Sequence, residues 1–241
     1  SQYVTARIAS MTNIDIGLFD YDRHNALYFF IMNADEHIYM RYGGRDARSP
    51  DSYLDLDSLE VALTMGLERH ERYKQGKLEK QTRPEPFFPR DIPGLKKEIL
   101  PKRCVECHLI ADYKAQEAER AGELDKLREM YASPDIRTIG IELDVSTGLV
   151  VKDATGAVER AGMEPGDLIV GIDGTPTLTF GDLQHFYNKT PRDAKRVRIA
   201  VDRHGETNEL TIDLPKEWWW TDLYHRFWSV EPVLTFSTRP L

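Results

Sequence analysis

Two cysteines and a histidine form the most chemically specific pattern in this 241-residue chain. Cys104 and Cys107 are its only cysteines, and His108 directly follows the second of them. The CxxCH pattern is typical of covalent haem attachment, because two thiols at this spacing form thioethers with the vinyl groups of one porphyrin. The histidine then supplies the proximal axial ligand of the iron. We therefore predict one covalently attached haem c, held by Cys104 and Cys107 and ligated by His108.

Two other chemistries remain open for the same residues. A structural zinc ion is one, with Cys104, Cys107, His108 and a distant histidine as ligands, although the chain offers only one CxxC half-site. A thioredoxin-like redox dithiol is the other, but that motif normally follows a strand. The preceding residues 95–103 are basic and punctuated by proline, and they do not predict a strand.

The composition narrows the class of protein. The 32 basic and 40 acidic side chains give a net charge of −8, which argues against a nucleic-acid partner. No apolar run approaches the roughly 20 residues of a membrane-spanning helix. The length allows two domains. The chain begins with Ser1 and no signal peptide, so we interpret it as a mature or trimmed chain.

The first 75 residues predict a small α/β unit. Residues 3–9, 26–32 and 37–42 have the composition of strands, and residues 57–74 have the periodicity of an amphipathic helix capped by Asp57. The motifs Phe19–Asp22, Asn33–Asp35 and Arg41–Gly43, with the Leu-rich helix ending near His70, resemble a bacterial family of thioredoxin-like proteins. In that family a linker, a CxxCH segment and a PDZ domain follow. This sequence starts after the family's upstream βα unit with its own CxxC, so the resemblance covers the C-terminal half of a thioredoxin fold. Either the chain is a trimmed fragment, or its thioredoxin-like unit is incomplete and has no thiol chemistry.

A proline-rich stretch connects this unit to the CxxCH motif. Residues 75–103 predict an extended linker, because proline disfavours helix and removes backbone donors. We expect its apolar side chains to cover the haem: Phe87, Phe88, Ile92, Leu95, Ile99 and Leu100. The pattern from His108 to Ala132 predicts a helix with a charged outer face.

The last large region resembles a bacterial PDZ domain. Its residues 159–174 match the pattern A-G-(apolar)-x-x-G-D-x-I-x-x-I-(D/N)-G, with strands predicted at 137–143, 148–151, 196–201 and 209–214 and a helix at 179–188. The fold class predicted for the chain is therefore α+β: a partial thioredoxin-like α/β unit, a CxxCH linker and helix, and a PDZ-like partly open β-barrel. The predicted boundaries are 1–75 (thioredoxin-like), 76–133 (linker and haem segment), 134–216 (PDZ) and 217–241 (aromatic tail with all four tryptophans).

The PDZ resemblance implies a peptide partner. Such domains add an extended peptide to a sheet edge and hold its C-terminal carboxylate with backbone N–H groups. The residues expected to form this groove are Ile139, Gly140, Ile141, Phe180, Leu183 and Tyr187, with His185 as a polar contact. The alternative is that these residues complete a core and that the protein's own tail fills the groove.

The sixth ligand of the iron is the remaining question at the haem. His70 is the first candidate, because it extends an apolar helix face at a position where the related family carries histidine. His225, in the aromatic tail, is the second candidate. A Met130 ligand would raise the reduction potential.

Three functions follow from these motifs. The first is an extracytoplasmic, periplasmic monohaem cytochrome that transfers or senses electrons and docks to a partner protein. The second is an oxidoreductase, since a PDZ unit beside CxxCH is similar to magnetosome cytochromes that oxidise iron; Asp15, Asp20, Asp22 and Asp35 would be its iron-binding cluster. The third is a PDZ adaptor with a structural zinc. No Gly-x-Ser-x-Gly nucleophile motif supports a protease.

Overall fold

The helices and antiparallel sheets of the chain give it an α+β fold, which divides into two units. The structure, a computed structural model, describes residues 2–23, 25, 27–49, 51–79, 81–99 and 105–221. Of these, the first unit holds residues up to 23 and those from 82 to 130. The second unit holds residues from 25 to 81 and from 131 to 221. Each unit is therefore built from segments that are far apart in sequence.

The regular elements are numbered in chain order. They are β1 (Tyr28–Met32), β2 (Ile38–Gly43), α1 (Leu56–Lys74), α2 (Pro93–Glu98), α3 (Cys107–Ala121), α4 (Lys126–Met130), β3 (Ile141–Asp144), β4 (Val150–Ala154), α5 (Gly156–Arg160), β5 (Leu168–Ile172), β6 (Thr175–Pro176), α6 (Phe180–Tyr187), β7 (Arg196–Arg203) and β8 (Glu206–Asp213). Short 3₁₀ helices occupy Pro89–Asp91 and Ile136–Ile139.

The first unit packs α2 and α3 around a small apolar core. This core consists of Met11, Ile16, Ile92, Leu95, Val105 and Ile110. The two helices approach closely at Gly94, where a Cβ would lie 2.7 Å from the Tyr113 ring, and the Gly94 N–H donates to Glu117. Backbone hydrogen bonds from Met11 to Val105 and from Ile16 to the Phe87 carbonyl tie the N-terminal segment to this core.

The second unit contains two antiparallel sheets. β1 and β2 form a hairpin, and α1 packs on it. A capping box formed by Asp55 and Ser58 begins α1. The larger sheet has the order β3-β4-β5-β7-β8, with β6 beside β5. Its main core lies between this sheet, α5 and α6, where side chains such as Ile141, Leu183 and Ile199 are fully buried.

Several predicted elements are confirmed. The strands at β1, β2, β4, β7 and β8, and the helices α1 and α6, lie within a few residues of their predicted bounds. The predicted turn between β7 and β8 is confirmed too: His204 and Gly205 both have positive φ, as the tight turns of two-residue hairpins require.

Three predicted elements are wrong. Residues 3–9 form no strand, and Val4 and Ile8 are exposed, because no neighbouring strand pairs with this segment in the described part of the chain. The helix predicted from 108 to 132 ends at Ala121, since Gly122 adopts a left-handed conformation that ends it. The proline-rich linker is not simply extended, because it contains α2, with Pro93 at its first position, where proline is compatible with helix.

The observed division into units differs from the predicted succession of four regions. The β1–β2 hairpin and α1 belong to the same unit as the sheet that begins at β3, whereas the CxxCH helix belongs to the other unit. Sequence order cannot reveal this, because long-range packing decides which segments share a core. None of the helices in the described ranges is both long and apolar enough to cross a membrane.

Candidate functional site

The CxxCH motif leads directly into α3. Cys107 is the first helical residue and His108 the second, after a buried Val105 that anchors the preceding turn in the core of the first unit. Cys104 lies outside the described residues. The imidazole of His108 is about half exposed and lies 3.4 Å from the Glu106 carboxylate. This contact between two exposed groups is weak, so it leaves the imidazole available as a ligand.

A tyrosine from the N-terminal segment contacts the motif. The Tyr21 hydroxyl donates a hydrogen bond of 2.9 Å to Cys107 Sγ. Burial, followed by this hydrogen bond, raises the pKa of Tyr21 above its usual range. The Arg23 guanidinium lies 4.8 Å from the centre of the Tyr21 ring and donates to the carbonyls of Ile16 and Phe19. Tyr21 is therefore held in place against the sulfur.

The described residues of the motif fit a covalently attached haem. The Cys107 sulfur is only partly buried, and the His108 imidazole next to it has an accessible nitrogen. One turn further along α3, burial raises the pKa of Asp112, and the neighbouring His108 opposes this rise. A thiol, an accessible imidazole and adjacent apolar side chains are the groups such a site needs.

Most of the linker side chains predicted to cover a haem pack in or against the core of the first unit. Ile92 and Leu95 are buried in the core that also contains Val105, while Phe87 and Ile99 pack against it. The Arg90 guanidinium carbon lies 4.1 Å from the centre of the Phe88 ring. Leu100 lies outside the described residues. The linker thus packs against the segment that carries the motif.

The first candidate for the sixth ligand belongs to a different unit from the motif. His70 lies on α1 in the second unit, and its Nδ1 is 2.8 Å from the Tyr39 hydroxyl. His225 lies outside the described residues. Met130, at the end of α4, is buried within the first unit. The identity of the sixth ligand stays a prediction.

The acidic residues predicted as an iron site have other roles. Within the described ranges, no three His, Cys, Asp or Glu side chains are close enough together to hold a metal ion. Asp15 Oδ1 instead accepts hydrogen bonds from the backbone N–H groups of Gly17, Leu18 and Phe87. Its carboxylate therefore organises a turn and joins the N-terminal segment to the linker.

The residues predicted to form a peptide groove do come together in the second unit. Ile139 ends the 3₁₀ helix that precedes β3, and Ile141 is the first residue of β3. Phe180, Leu183 and Tyr187 lie on α6. All five are at most 6 % exposed. Gly140 has φ of +101°, and a Cβ there would collide with the Thr155 carbonyl oxygen, so glycine is required by the local backbone alone.

Residues at the end of β2 and directly after it contact α6, although the sequence did not predict them to be part of this region. The chain leaving β2 runs along α6, where Asp182 and Gln184 bond to its backbone. Complete burial raises the pKa of Asp182 to about 6, although the Arg41 N–H and guanidinium oppose this. His185 is buried beside the Phe186 ring and does not face solvent as a peptide reader would.

Comparisons with known proteins assign no family. No protein-family model matches the chain, and no curated protein matches it. Sequence reasoning also missed the roles of Tyr21 and Arg23. Their signal was present in the sequence only as the motif Phe19–Asp22, whose purpose a sequence alone does not disclose.

Proposed function

We propose that this chain is an extracytoplasmic monohaem c-type protein that exchanges electrons with a redox partner protein. The observation that carries the proposal is the start of α3, where Cys107 has a partly exposed sulfur and His108 an accessible imidazole in successive positions. When bound, a haem supplies one-electron transfer through its iron. Cys104 and Cys107 would hold it covalently and His108 would ligate it.

The surrounding residues support the same function. The Tyr21 hydroxyl restrains the Cys107 side chain, and the buried cluster at Val105 and Ile110 fixes the turn that carries the motif. A rigid attachment segment lowers the reorganisation that accompanies a change of charge at the iron.

The proposed architecture combines a thioredoxin-like half with a PDZ-like domain. The hairpin followed by α1 supports the former, and the order of β3 to β8 with α5 and α6 supports the latter. Docking of a partner's peptide in the PDZ-like groove stays a prediction. A peptide would have to displace the chain that leaves β2, because this segment already lies on α6.

Covalent haem is the decisive measurement. The full chain is expressed in a bacterial periplasm together with a c-type haem maturation system, and the denatured protein is examined in alkaline pyridine. We expect one haem per chain with the spectrum of a thioether-bound porphyrin. The double variant Cys104→Ala, Cys107→Ala should lose it, and His37→Ala, at a histidine outside the motif, should keep it. A wild-type chain matured without covalent haem would reject the proposal.

A further inference from the structure

The predicted peptide groove has an occupant within this chain. Residues 44–49 and 51–53, here called the groove segment, follow β2 and contact both α6 and β3. Gln184 of α6 makes two bonds to one residue of this segment: its Oε1 accepts from the Arg45 N–H at 3.1 Å, and its Nε2 donates to the Arg45 carbonyl. A buried side-chain amide thus satisfies a backbone donor and acceptor together, as a neighbouring strand would.

The backbone just before the groove segment is also fixed to α6. The Arg41 N–H donates to Asp182 Oδ1 at 2.9 Å, and Thr179 Oγ1 donates to the Arg41 carbonyl. Glycine allows the close approach: Gly44 has φ of +110°, and a Cβ there would lie 2.8 Å from Gln184 Oε1. The fit is therefore specific to backbone geometry at this point.

An aromatic contact lies at the other end of the groove segment. The ring of Tyr53 stacks on that of Phe180, with 3.8 Å between ring centres and 25° between planes. Both rings are buried in the main core of the second unit. Phe180 is one of the side chains predicted to contact a peptide. In this structure Tyr53 covers the face of its ring that a peptide would contact.

Charges complete the contact on the β3 side. Asp46 lies 3.2 Å from the Arg137 guanidinium, and the Ala47 N–H donates to Asp135. Arg48 forms a bidentate pair with Glu142 of β3, with both distances 3.1 Å. The groove segment therefore complements the chemistry of both walls.

The loop that would hold a peptide carboxylate is already engaged. Residues Ile136–Ile139 form a 3₁₀ helix in which the N–H groups of Thr138 and Gly140 donate to Asp135 and Arg137. Thr138 Oγ1 is within hydrogen-bonding distance of the Trp218 carbonyl. Because these two N–H groups donate to backbone carbonyls, they do not point toward a peptide carboxylate.

Hydrogen bonds within the groove segment also restrain its conformation. Asp46 Oδ1 accepts from the Arg48 N–H at 2.7 Å, from the Ser49 N–H at 3.0 Å and from the Ser52 hydroxyl at 2.6 Å. A preorganised ligand loses less conformational entropy on binding, and a ligand in the same chain loses no translational freedom. A separate peptide meets neither condition.

We propose that the groove segment is an intramolecular ligand of the predicted groove and excludes peptide C termini from it. The groove then serves to hold the β1–β2 hairpin and α1 in the second unit. This inference is independent of the haem, whose presence is decided by its own spectrum.

The test has two measurements on the full chain. A double-mutant cycle with Tyr53→Leu and Phe180→Leu follows the unfolding equilibrium constant, and we expect a coupling of roughly three- to tenfold. Fluorescein-labelled hexapeptides ending in Val, Leu or Phe with a free carboxylate are titrated against the wild type, and we expect no saturable binding. Additivity in the cycle, or saturable peptide binding that shifts the amide resonances of Ile139 to Ile141, would overturn the inference.

A second double-mutant cycle tests the inference even if the Tyr53 or Phe180 variants do not fold. Arg48→Ala and Glu142→Ala change a more exposed pair, and their expected coupling is on the order of twofold. Arg48→Ala combined with Glu206→Ala is the matched control, because Glu206 lies on β8, at the opposite end of the sheet order from β3. That control pair should be additive.

Discussion

The Tyr21 hydroxyl and the Cys107 sulfur are joined by a 2.9 Å hydrogen bond across 86 residues of sequence. Cys107 begins α3, and Tyr21 belongs to an N-terminal segment without regular secondary structure. The contact makes that segment part of the surroundings of the CxxCH motif. It also gives the buried phenol a partner, which burial of a hydroxyl requires.

The first prediction concerns this bond. In the reduced, haem-free protein, Tyr21→Phe should lower the free energy of unfolding by about 1 kcal/mol, because it removes one hydrogen bond and little apolar area. Urea unfolding followed by circular dichroism measures the change. Tyr21→Phe combined with Cys107→Ala should be less than additive, whereas Tyr113→Phe combined with Cys107→Ala should be additive. Additivity in both pairs would show that the bond is absent in solution.

The second prediction concerns the distal ligand of the proposed haem. In the haem-loaded protein, His70→Ala should replace the low-spin absorption spectrum by a high-spin one, because the iron loses a strong-field ligand. His37→Ala is the matched control, since this histidine is also aromatic-packed in the second unit, near Tyr39 and Tyr73. A low-spin spectrum retained in His70→Ala would transfer the assignment to another residue, with His225 next to be changed.

The third prediction is a pH dependence of stability. Burial raises the pKa of Asp182 from 3.8 to about 6, so the folded protein holds this proton more tightly than the unfolded chain. The associated stabilisation is complete only below the unfolded pKa of 3.8 and is lost as the pH rises through 6. Relative to Asp182→Asn, which does not titrate, the wild type should therefore lose stability on the order of 2 kcal/mol between pH 4 and 7. Urea unfolding at several pH values, followed by tryptophan fluorescence, measures the difference.

Asp167 supplies a control of opposite sign. The Arg203 guanidinium, at 2.7 and 2.8 Å, lowers the pKa of this carboxyl. Its contribution is present at neutral pH and is lost as the pH falls through the lowered pKa. The advantage of the wild type over Asp167→Asn should thus shrink toward acidic pH. Stability curves for Asp182→Asn that run parallel to the wild type would contradict the burial of a titrating carboxylate.

The fourth prediction separates two neighbouring tryptophans. Trp218 is 2 % exposed, packs on Tyr187 and lies beside the Arg192 guanidinium, whereas Trp220 is 54 % exposed. Trp218→Ala should cost about 3–5 kcal/mol of unfolding free energy, as truncation of a buried aromatic side chain does. Trp220→Ala should change it by less than about 0.5 kcal/mol. Thermal unfolding monitored by circular dichroism distinguishes them, and equal effects would contradict the observed packing.

The sequence predicted regular elements well where interactions between residues close in sequence, such as helix caps and tight turns, determine them. The helix α1 begins at a capping box two residues before the predicted cap, and the turn at His204 and Gly205 lies where predicted. The strand predicted at residues 3–9 failed, because β propensity alone gives a segment no partner strand. The helix after His108 was predicted too long, because the left-handed preference of Gly122 outweighs the periodicity around it.

The candidate site divides in the same way. The sequence by itself determined the spacing of Cys104, Cys107 and His108, since attachment chemistry depends on covalent distance along a short segment. It also predicted residues near the start of β3 and on α6 that the structure places in one core. Only the tertiary structure decided that Tyr21 contacts Cys107 and that Tyr53 stacks on Phe180. Those contacts join residues far apart in sequence, and their partners follow from the packing of whole segments, which no local pattern encodes.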